Sequence, residues 1–436
     1  MQSHTLTISG GSDKSLYSTS IGYMKQDGVI GFKGQSQYER VNIRLSTEHK
    51  MYKDVVRFGQ NFTYTMSNKK GVGVGNIYGN SLRSVINASP QFPVYDSAGD
   101  FGKSAFNPDE TNPVALMYYQ YNNKTKSDRF LGNAYLEIEP IKGLKLRSDF
   151  GLDANFVAGN AFFPAYNLST NVVNNHSRAA QDMGRYATWN WDNTISYQRA
   201  FGQHNLTVLA GMTANEFNGF NMSGSKEDLL VLDFAHSVID NGTLEETRKV
   251  NGSRNESALV SYFGRVGYNY AEKYMITGIF RADGSTKFGA NNRFGYFPSV
   301  SAGWVASNET FLQSSWLNFL KLRAGWGQNG NQPTDDFLYL ATVTSTNKDY
   351  FFGEDDVQFV GSSPDRVANP NLRWETSEQA NIGVDLQLFG DFSLTADWYR
   401  KTTKDWLIAP PVPALAGANP PMINGGSVKI RAWKSA

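Results

Sequence analysis

Thr188-Trp189-Asn190-Trp191-Asp192-Asn193-Thr194-Ile195-Ser196-Tyr197-Gln198 alternates polar and apolar side chains almost residue by residue. Thr188, Asn190, Asp192, Thr194, Ser196 and Gln198 fall on one face, and Trp189, Trp191, Ile195 and Tyr197 on the other, interrupted only by Asn193. A period of two is the signature of a two-faced β-strand, since successive side chains of an extended chain point to opposite sides. The same alternation recurs at Leu206, Val208, Ala210 and Met212, at Leu322, Ala324 and Trp326, at Ile382, Val384, Leu386 and Leu388, and at Phe392, Leu394, Ala396 and Trp398. About sixteen such strands are expected along the chain. Helical spacing is nowhere sustained; Glu245 to Val250 and Glu309 to Leu320 are the best helical candidates.

Connections between the strands fall into two lengths. Pro140-Ile141-Lys142-Gly143, Phe201-Gly202-Gln203-His204, Ala271-Glu272-Lys273 and Phe389-Gly390-Asp391 read as tight turns. Asn68 to Asp128, Phe156 to Arg185, Asn218 to Asn255 and Asn329 to Arg373 read as long excursions. Short and long alternate, so all hairpins close at one end and all loops gather at the other. That is the layout of an antiparallel transmembrane β-barrel, with short periplasmic turns, long extracellular loops and strands of ~10 residues that are apolar outside and polar inside. Trp189, Trp191, Tyr197, Tyr262, Tyr268, Tyr270, Tyr274, Trp326 and Trp398 fall near strand ends on the apolar face, where amphipathic rings suit the headgroup level. The competing explanation is the general preference of aromatic residues for strands.

Composition fits this reading and removes others. The chain has 436 residues and a formal net charge of +1, so no basic footprint for nucleic acid is present. There is no cysteine, which excludes disulfide frameworks, Cys-ligated zinc, iron–sulfur clusters and thiol catalysis. Aromatic residues make up 14% and charged residues only 19%, and the mean hydropathy of −0.43 contains no run of ~18 apolar residues for a spanning helix. A length prior of ~150 residues per domain suggests about three soluble domains, but a single large all-β unit, residues 1–436, fits the strand pattern better.

Motifs that carry chemistry are mostly missing. The five histidines, His4, His49, His176, His204 and His236, form no HExxH or close pair, and a surface or turn role is expected for them. Gly71-Val72-Gly73-Val74-Gly75-Asn76 has the wrong third-glycine spacing for a dinucleotide fingerprint, and Gly102-Lys103-Ser104 lacks the upstream glycine of a phosphate loop. Glu354-Asp355-Asp356 is read as a solvated acidic run rather than a Ca²⁺ site, which needs ~6–8 spaced oxygens. No nucleophile elbow is found. One tract, Met117-Tyr118-Tyr119-Gln120-Tyr121-Asn122-Asn123, mixes aromatic faces with amides in a way that suits sugars or peptides, ordinary loop packing being the alternative. No catalytic, cofactor-binding or metal-ligating residue is assigned, no cofactor is expected, and ligand-contacting residues are not identified from sequence.

Several stretches resemble one family, the TonB-dependent outer-membrane transporters of the starch-utilisation (SusC/RagA-like) type of Bacteroidetes. Leu6-Thr7-Ile8-Ser9-Gly10-Gly11 with Ile21-Gly22-Tyr23 looks like the first barrel hairpin. Gly264-Arg265-Val266-Gly267-Tyr268, Arg281-Ala282-Asp283-Gly284-Ser285 and Arg293-Phe294-Gly295-Tyr296-Phe297-Pro298 resemble the family's most distinctive block, which Leu320-Lys321-Leu322-Arg323-Ala324 and Gly330-Asn331-Gln332 continue. Asn369-Pro370-Asn371-Leu372-Arg373-Trp374-Glu375-Thr376 is close to diagnostic. The similarity runs over nearly the whole chain.

The resemblance implies energised import of oligosaccharides or peptides across the outer membrane, and no enzyme activity. It implies a barrel of ~22 strands in outer-membrane lipid, a plug, a TonB box coupling to TonB-ExbB-ExbD, and a SusD-like lipoprotein lid. On that comparison the plug is expected before Met1 and about six strands after Ala436. After Lys429 the family continues with a segment like Asn-Lys-Gly-Val-Glu-Ile, whereas this chain reads Ile430-Arg431-Ala432-Trp433-Lys434-Ser435. Deleting one A from codons AAT AAG GGC GTG GAA ATC yields that second reading, so a frame-shifting deletion is expected in the gene or its sequence. The competing functions are a passive porin or adhesin barrel, and a secreted all-β glycan-binding protein.

Overall fold

The computed structural model describes every residue except 73–79, 106, 121, 122, 346–348, 354–356 and 436. The Gly73 to Asn76 part of the glycine tract, Tyr121, Asn122 and the Glu354-Asp355-Asp356 run therefore lie outside the described residues.

Fifteen antiparallel strands follow one another in a single sheet, each beside its neighbour in sequence. They are β1 (Gln2–Gly11), β2 (Ser15–Asp27), β3 (Gln37–Met51), β4 (Val56–Lys70), β5 (Asn123–Ile141), β6 (Leu144–Phe163), β7 (Arg178–Phe201) and β8 (His204–Leu229). Then come β9 (Gly242–Tyr270), β10 (Tyr274–Ser285), β11 (Phe294–Val305), β12 (Leu317–Asn331), β13 (Glu375–Leu388), β14 (Phe392–Ile408) and β15 (Ile423–Ser435). The two α-helices are short, α1 (Ser81–Asn87) and α2 (Pro113–Gln120), and both lie in the β4–β5 connection. No helix among the described residues is long and apolar enough to cross a membrane.

Turn chemistry matches the hairpins. Gly143 adopts φ 88, and an added Cβ there would meet the Gln198 carbonyl oxygen at 2.2 Å, so only glycine fits the turn. Ala271 and Glu272 turn the chain with φ 54 and 57. Connections from odd to even strands are short, as at 142–143, 202–203, 271–273 and 389–391, with one exception, the segment 306–316. Connections from even to odd strands are longer, the largest being 71–122 and 332–374.

Contact density resolves two compact units. The first holds Met1–Tyr135, Gly151–Trp189 and Phe217–Asn255. In it, pairing places Leu6 opposite Ile21, Ile21 opposite Ile43, and Ile43 opposite Tyr64, so one apolar face runs across four strands. Leu6, Ile21 and Ile43 are exposed on that face, which water would not favour and lipid would. The second unit holds Leu136–Phe150, Asn190–Glu216 and Glu256–Ala436. Here Trp304, Leu322 and Val384 share a face, as do Ala302, Ala324 and Ile382, while Arg323, Gly383 and Asp397 share the other.

Several sequence expectations change. The sheet's fifteen strands agree with the about sixteen expected, but many are far longer than ~10 residues, β9 spanning 29 and β8 spanning 26. Much of the expected excursions at 156–185 and 218–255 is strand, because backbone pairing continues where the apolar alternation has stopped. For the same reason Trp189 and Trp191 sit in the middle of β7, not near its end. Neither helical candidate is a helix. Glu245 to Val250 belongs to β9, and Glu309 to Leu320 is a turn that runs into β12 after a single 3₁₀ turn at Ala306–Asn308. In β15 the alternation reverses, with Lys429 and Arg431 opposite Thr402 and Arg400 on the face of Trp398.

Candidate functional site

In the first unit, the β4–β5 connection and the β2–β3 loop build a cleft of about 620 Å³. Its wall is aromatic. Tyr95 stacks on Phe101 at 5.5 Å with an interplanar angle of 24°, and Phe101 lies 5.4 Å from Tyr118 and 5.8 Å from Tyr119. Tyr119 in turn contacts Tyr166 at 5.3 Å, whose hydroxyl accepts from Gln120 Nε2 at 3.3 Å. Tyr95 and Tyr118 are both about half exposed, so their faces are open to a ligand. Lys33 and Asp100 place one charge of each sign on the rim.

Asn112 organises this cleft. Its side-chain oxygen accepts from the Val114 and Ala115 amides at 3.1 and 3.3 Å and so caps α2, with Pro113 at the first helical position. Its Nδ2 donates to the carbonyls of Val94 and Gly102 at 2.9 and 3.1 Å, fixing the hairpin that carries Tyr95 and Phe101. The helix is seated by Ala115 and Leu116, both fully buried against Leu168 and Val172. Buried Gln35 ties in the β2–β3 loop by donating to the Met117 carbonyl at 2.8 Å. The ligand-like tract thus begins on a helix, and the Asn-Pro pair before it was the available sequence signal.

The polar face of the second unit carries paired charges. The Arg323 guanidinium donates to both Asp385 carboxylate oxygens at 2.8 and 2.9 Å and pairs with Asp397 at 3.1 Å. Gly383 lies directly between Arg323 and Asp397, and its missing side chain lets the fork pass. Glu137, Lys145, Arg147 and Asp149 form a second group, and Arg281 pairs with Asp283 at 2.7 Å. Such alternating charges suit a hydrated lumen.

Three of the residues that carried the resemblance, Phe297, Leu372 and Trp374, meet in one cluster of the second unit. Phe288, Phe297, Leu372 and Trp374 form a buried cluster with Leu338, and Trp374 Nε1 donates to the Arg293 carbonyl at 2.8 Å. Asn369 Nδ2 donates to the Met422 carbonyl at 2.8 Å, and the Arg373 amide donates to Asn424 at 2.9 Å. These residues hold loops together.

The histidines are dispersed: His49 contacts Ser15, His176 Asp228, His204 Tyr268 and His236 Asp233. Among the described residues no three His, Asp or Glu side chains converge as metal ligands do. Ser104 of the Gly-Lys-Ser triplet donates to Glu110 at 2.7 Å, a loop tie.

Residues 63–432 match the family described as TonB dependent receptor-like, beta-barrel. The chain belongs to this family. A TonB-dependent receptor of Formosa agariphila, P3, is 30% identical over 98% of this chain and 42% of its own length. TonB-dependent receptor SusC of Bacteroides thetaiotaomicron is 26% identical over 98% of this chain and 43% of its own length. Among solved structures, that of the RagAB peptide transporter superposes with a TM-score of 0.82 at 25% identity, covering 99% of this chain and 48% of that one. The chain therefore spans less than half the length of the relatives it matches. The antiparallel sheet of fifteen strands is that of a TonB-dependent receptor barrel, of the SusC/RagA type by its likeness to these proteins.

Proposed function

We propose that this chain is the barrel part of an outer-membrane importer that takes up oligosaccharides or peptides, energised through TonB-ExbB-ExbD and capped by a SusD-like lipoprotein. It acts by binding and passage, without catalysis. The observation that carries the reading is the family match over 63–432 together with the likeness to SusC and to a peptide transporter. The aromatic cleft supports it. Tyr95, Phe101 and Tyr118 offer faces for sugar rings or for apolar and aromatic peptide side chains, with Lys33 and Asp100 at hand for polar ends. Each face adds about 0.5–1.5 kcal/mol beyond the burial of area.

Uptake of labelled oligosaccharides and peptides by cells with and without the gene tests this. Uptake of one class is expected to fall on deletion of the gene, and to fall equally when TonB is removed. Replacing both Tyr95 and Tyr118 by alanine is expected to weaken ligand binding about 5- to 150-fold. Uptake that persists without TonB points instead to a passive porin.

A further inference from the structure

A second feature of the first unit lies on the apolar face, away from the cleft. Phe62 and Tyr64 of β4 lie 6.4 and 4.9 Å from Phe130 of β5, which lies 6.2 Å from Phe156 of β6. Phe62 and Tyr64 share the face of Leu45 and Ile43, so this aromatic row continues the lipid-facing side. On β5 the intervening residues turn the other way, Ser127 bonding Asn155 and Arg129 forking onto Asp153.

Next to the row, two adjoining hollows of about 590 and 520 Å³ share Lys126, Ala158, Met183 and Met222. The floor is apolar and open, with Phe156, Phe220 and Met222 between 44% and 46% exposed and Met183 61% exposed. The rim is cationic, formed by Lys124, Lys126 and Arg185, and none of the three makes an ion pair among the described residues. Asp128 also lines the groove, but its carboxylate accepts from the Tyr64 hydroxyl at 2.5 Å; Asp182 lines the other hollow. Unpaired cations on a lipid-facing side are costly at mid-bilayer and nearly free at the interface, about 0–1 kcal/mol. Phe156 is the thirteenth residue of β6, about 30 Å up a strand tilted by ~40° and so just past an apolar band ~25 Å tall. The groove thus lies at the headgroup level of the leaflet on the long-loop side.

We infer that this groove binds a phosphorylated glycolipid of the outer leaflet, its acyl chain along Phe156, Met183, Phe220 and Met222 and its phosphate on Lys124, Lys126 and Arg185. Charge complementarity selects this occupant: a neutral lipid leaves the three cations without partners, and a free phosphate leaves the apolar floor bare. The inference rests on the outer-membrane reading proposed above. Bound lipid would fasten β5 to β8 at the base of the loops.

The test uses the full-length product of the gene, purified in mild detergent from fractionated outer membranes. Native mass spectrometry is run with bis-phosphoryl lipid A, with its dephosphorylated form, and with phosphatidylglycerol. Wild-type protein is expected to prefer bis-phosphoryl lipid A. The triple variant Lys124→Gln, Lys126→Gln, Arg185→Gln is expected to lose on the order of a hundredfold in that affinity, from about fivefold per cation. It should keep wild-type heat-modifiability, which separates a lost site from a lost fold. If single variants alone stay folded, each should lose about fivefold. Equal binding by variant and wild type, equal binding of the dephosphorylated lipid, or preference for phosphatidylglycerol overturns the site. Protein absent from the outer-membrane fraction overturns the location itself, a result scored before any lipid is added.

Discussion

Gly383 illustrates how a single absent side chain arranges charge. A Cβ at this position would meet Asp397 Oδ1 at 2.2 Å and Arg323 Nη2 at 2.9 Å, so the ion pair across the strand and the glycine require one another. Gly383→Ala is therefore expected to push Asp397 off Arg323 and to destabilise the folded protein by about 1–3 kcal/mol, as overpacking does. The midpoint of urea unfolding, followed by tryptophan fluorescence, measures this. With Asp397→Ala already in place the clashing oxygen is gone, and the same glycine change should cost less than about 0.5 kcal/mol. Additive costs in the double variant would show that Arg323 or the backbone of β13, not the Asp397 carboxylate, objects to the methyl group.

Among the connections at the short-turn end, the segment 306–316 is the long exception, and a carboxylate holds it down. Glu309 accepts from the Tyr274 hydroxyl at 2.6 Å, from Lys273 Nζ at 2.9 Å and from Trp304 Nε1 at 3.4 Å. The Tyr274 bond first, and then Lys273, hold the Glu309 carboxyl below the usual carboxylate range. A carboxyl with a lower pKa in the folded state binds its proton less readily there than in the unfolded chain. Its contribution is thus complete above the ordinary glutamate value of ~4.3 and is lost as pH falls below it through the folded value. Amide hydrogen exchange in 306–316 is expected to be slow at neutral pH and to quicken, relative to the intrinsic rate, as pH drops below ~4. The Glu309→Gln variant should show weaker protection with no such step. A step of equal size in that variant would assign the transition to another group. This turn also marks what sequence reading can reach. The alternation at 188–198 fixed two faces correctly, because side-chain period is local information. Strand length was misjudged, because hydrogen-bonded extension above a bilayer has no apolar face to announce it. The apparent helix at Glu309 to Leu320 failed because anchoring through Tyr274 and Trp304 overrides weak propensity. Arg323, Asp385 and Asp397 each fall between alternating apolar residues and so read as polar-face, but bringing Arg323 to the hairpin that carries both aspartates depends on a β12–β13 register across the long connection 332–374. The cleft was half legible: Tyr118 and Tyr119 stood out, while Tyr95 and Phe101 arrive through Asn112.

For the molecule as a whole, the governing constraint is backbone pairing in lipid. Each inner strand satisfies both of its edges, but the sheet order ends at β1 and at β15, and among the described residues these two are not paired with one another. A backbone group left without a partner in hydrocarbon costs several kcal/mol. Edges of 10 and 13 residues would each expose a row of such groups. The reversed alternation in β15 adds to this, since Arg431 faces Arg400 directly and like charges opposite one another repel. Residues 1–436 produced alone are therefore expected to give no closed, membrane-inserted monomer, and to run on a gel at the same position with and without boiling. The same segment joined to further strands that cover both edges should shift its mobility on heating. A heat-modifiable, detergent-stable monomer from 1–436 alone would mean that β1 and β15 find each other, and that fifteen strands are enough to close this sheet.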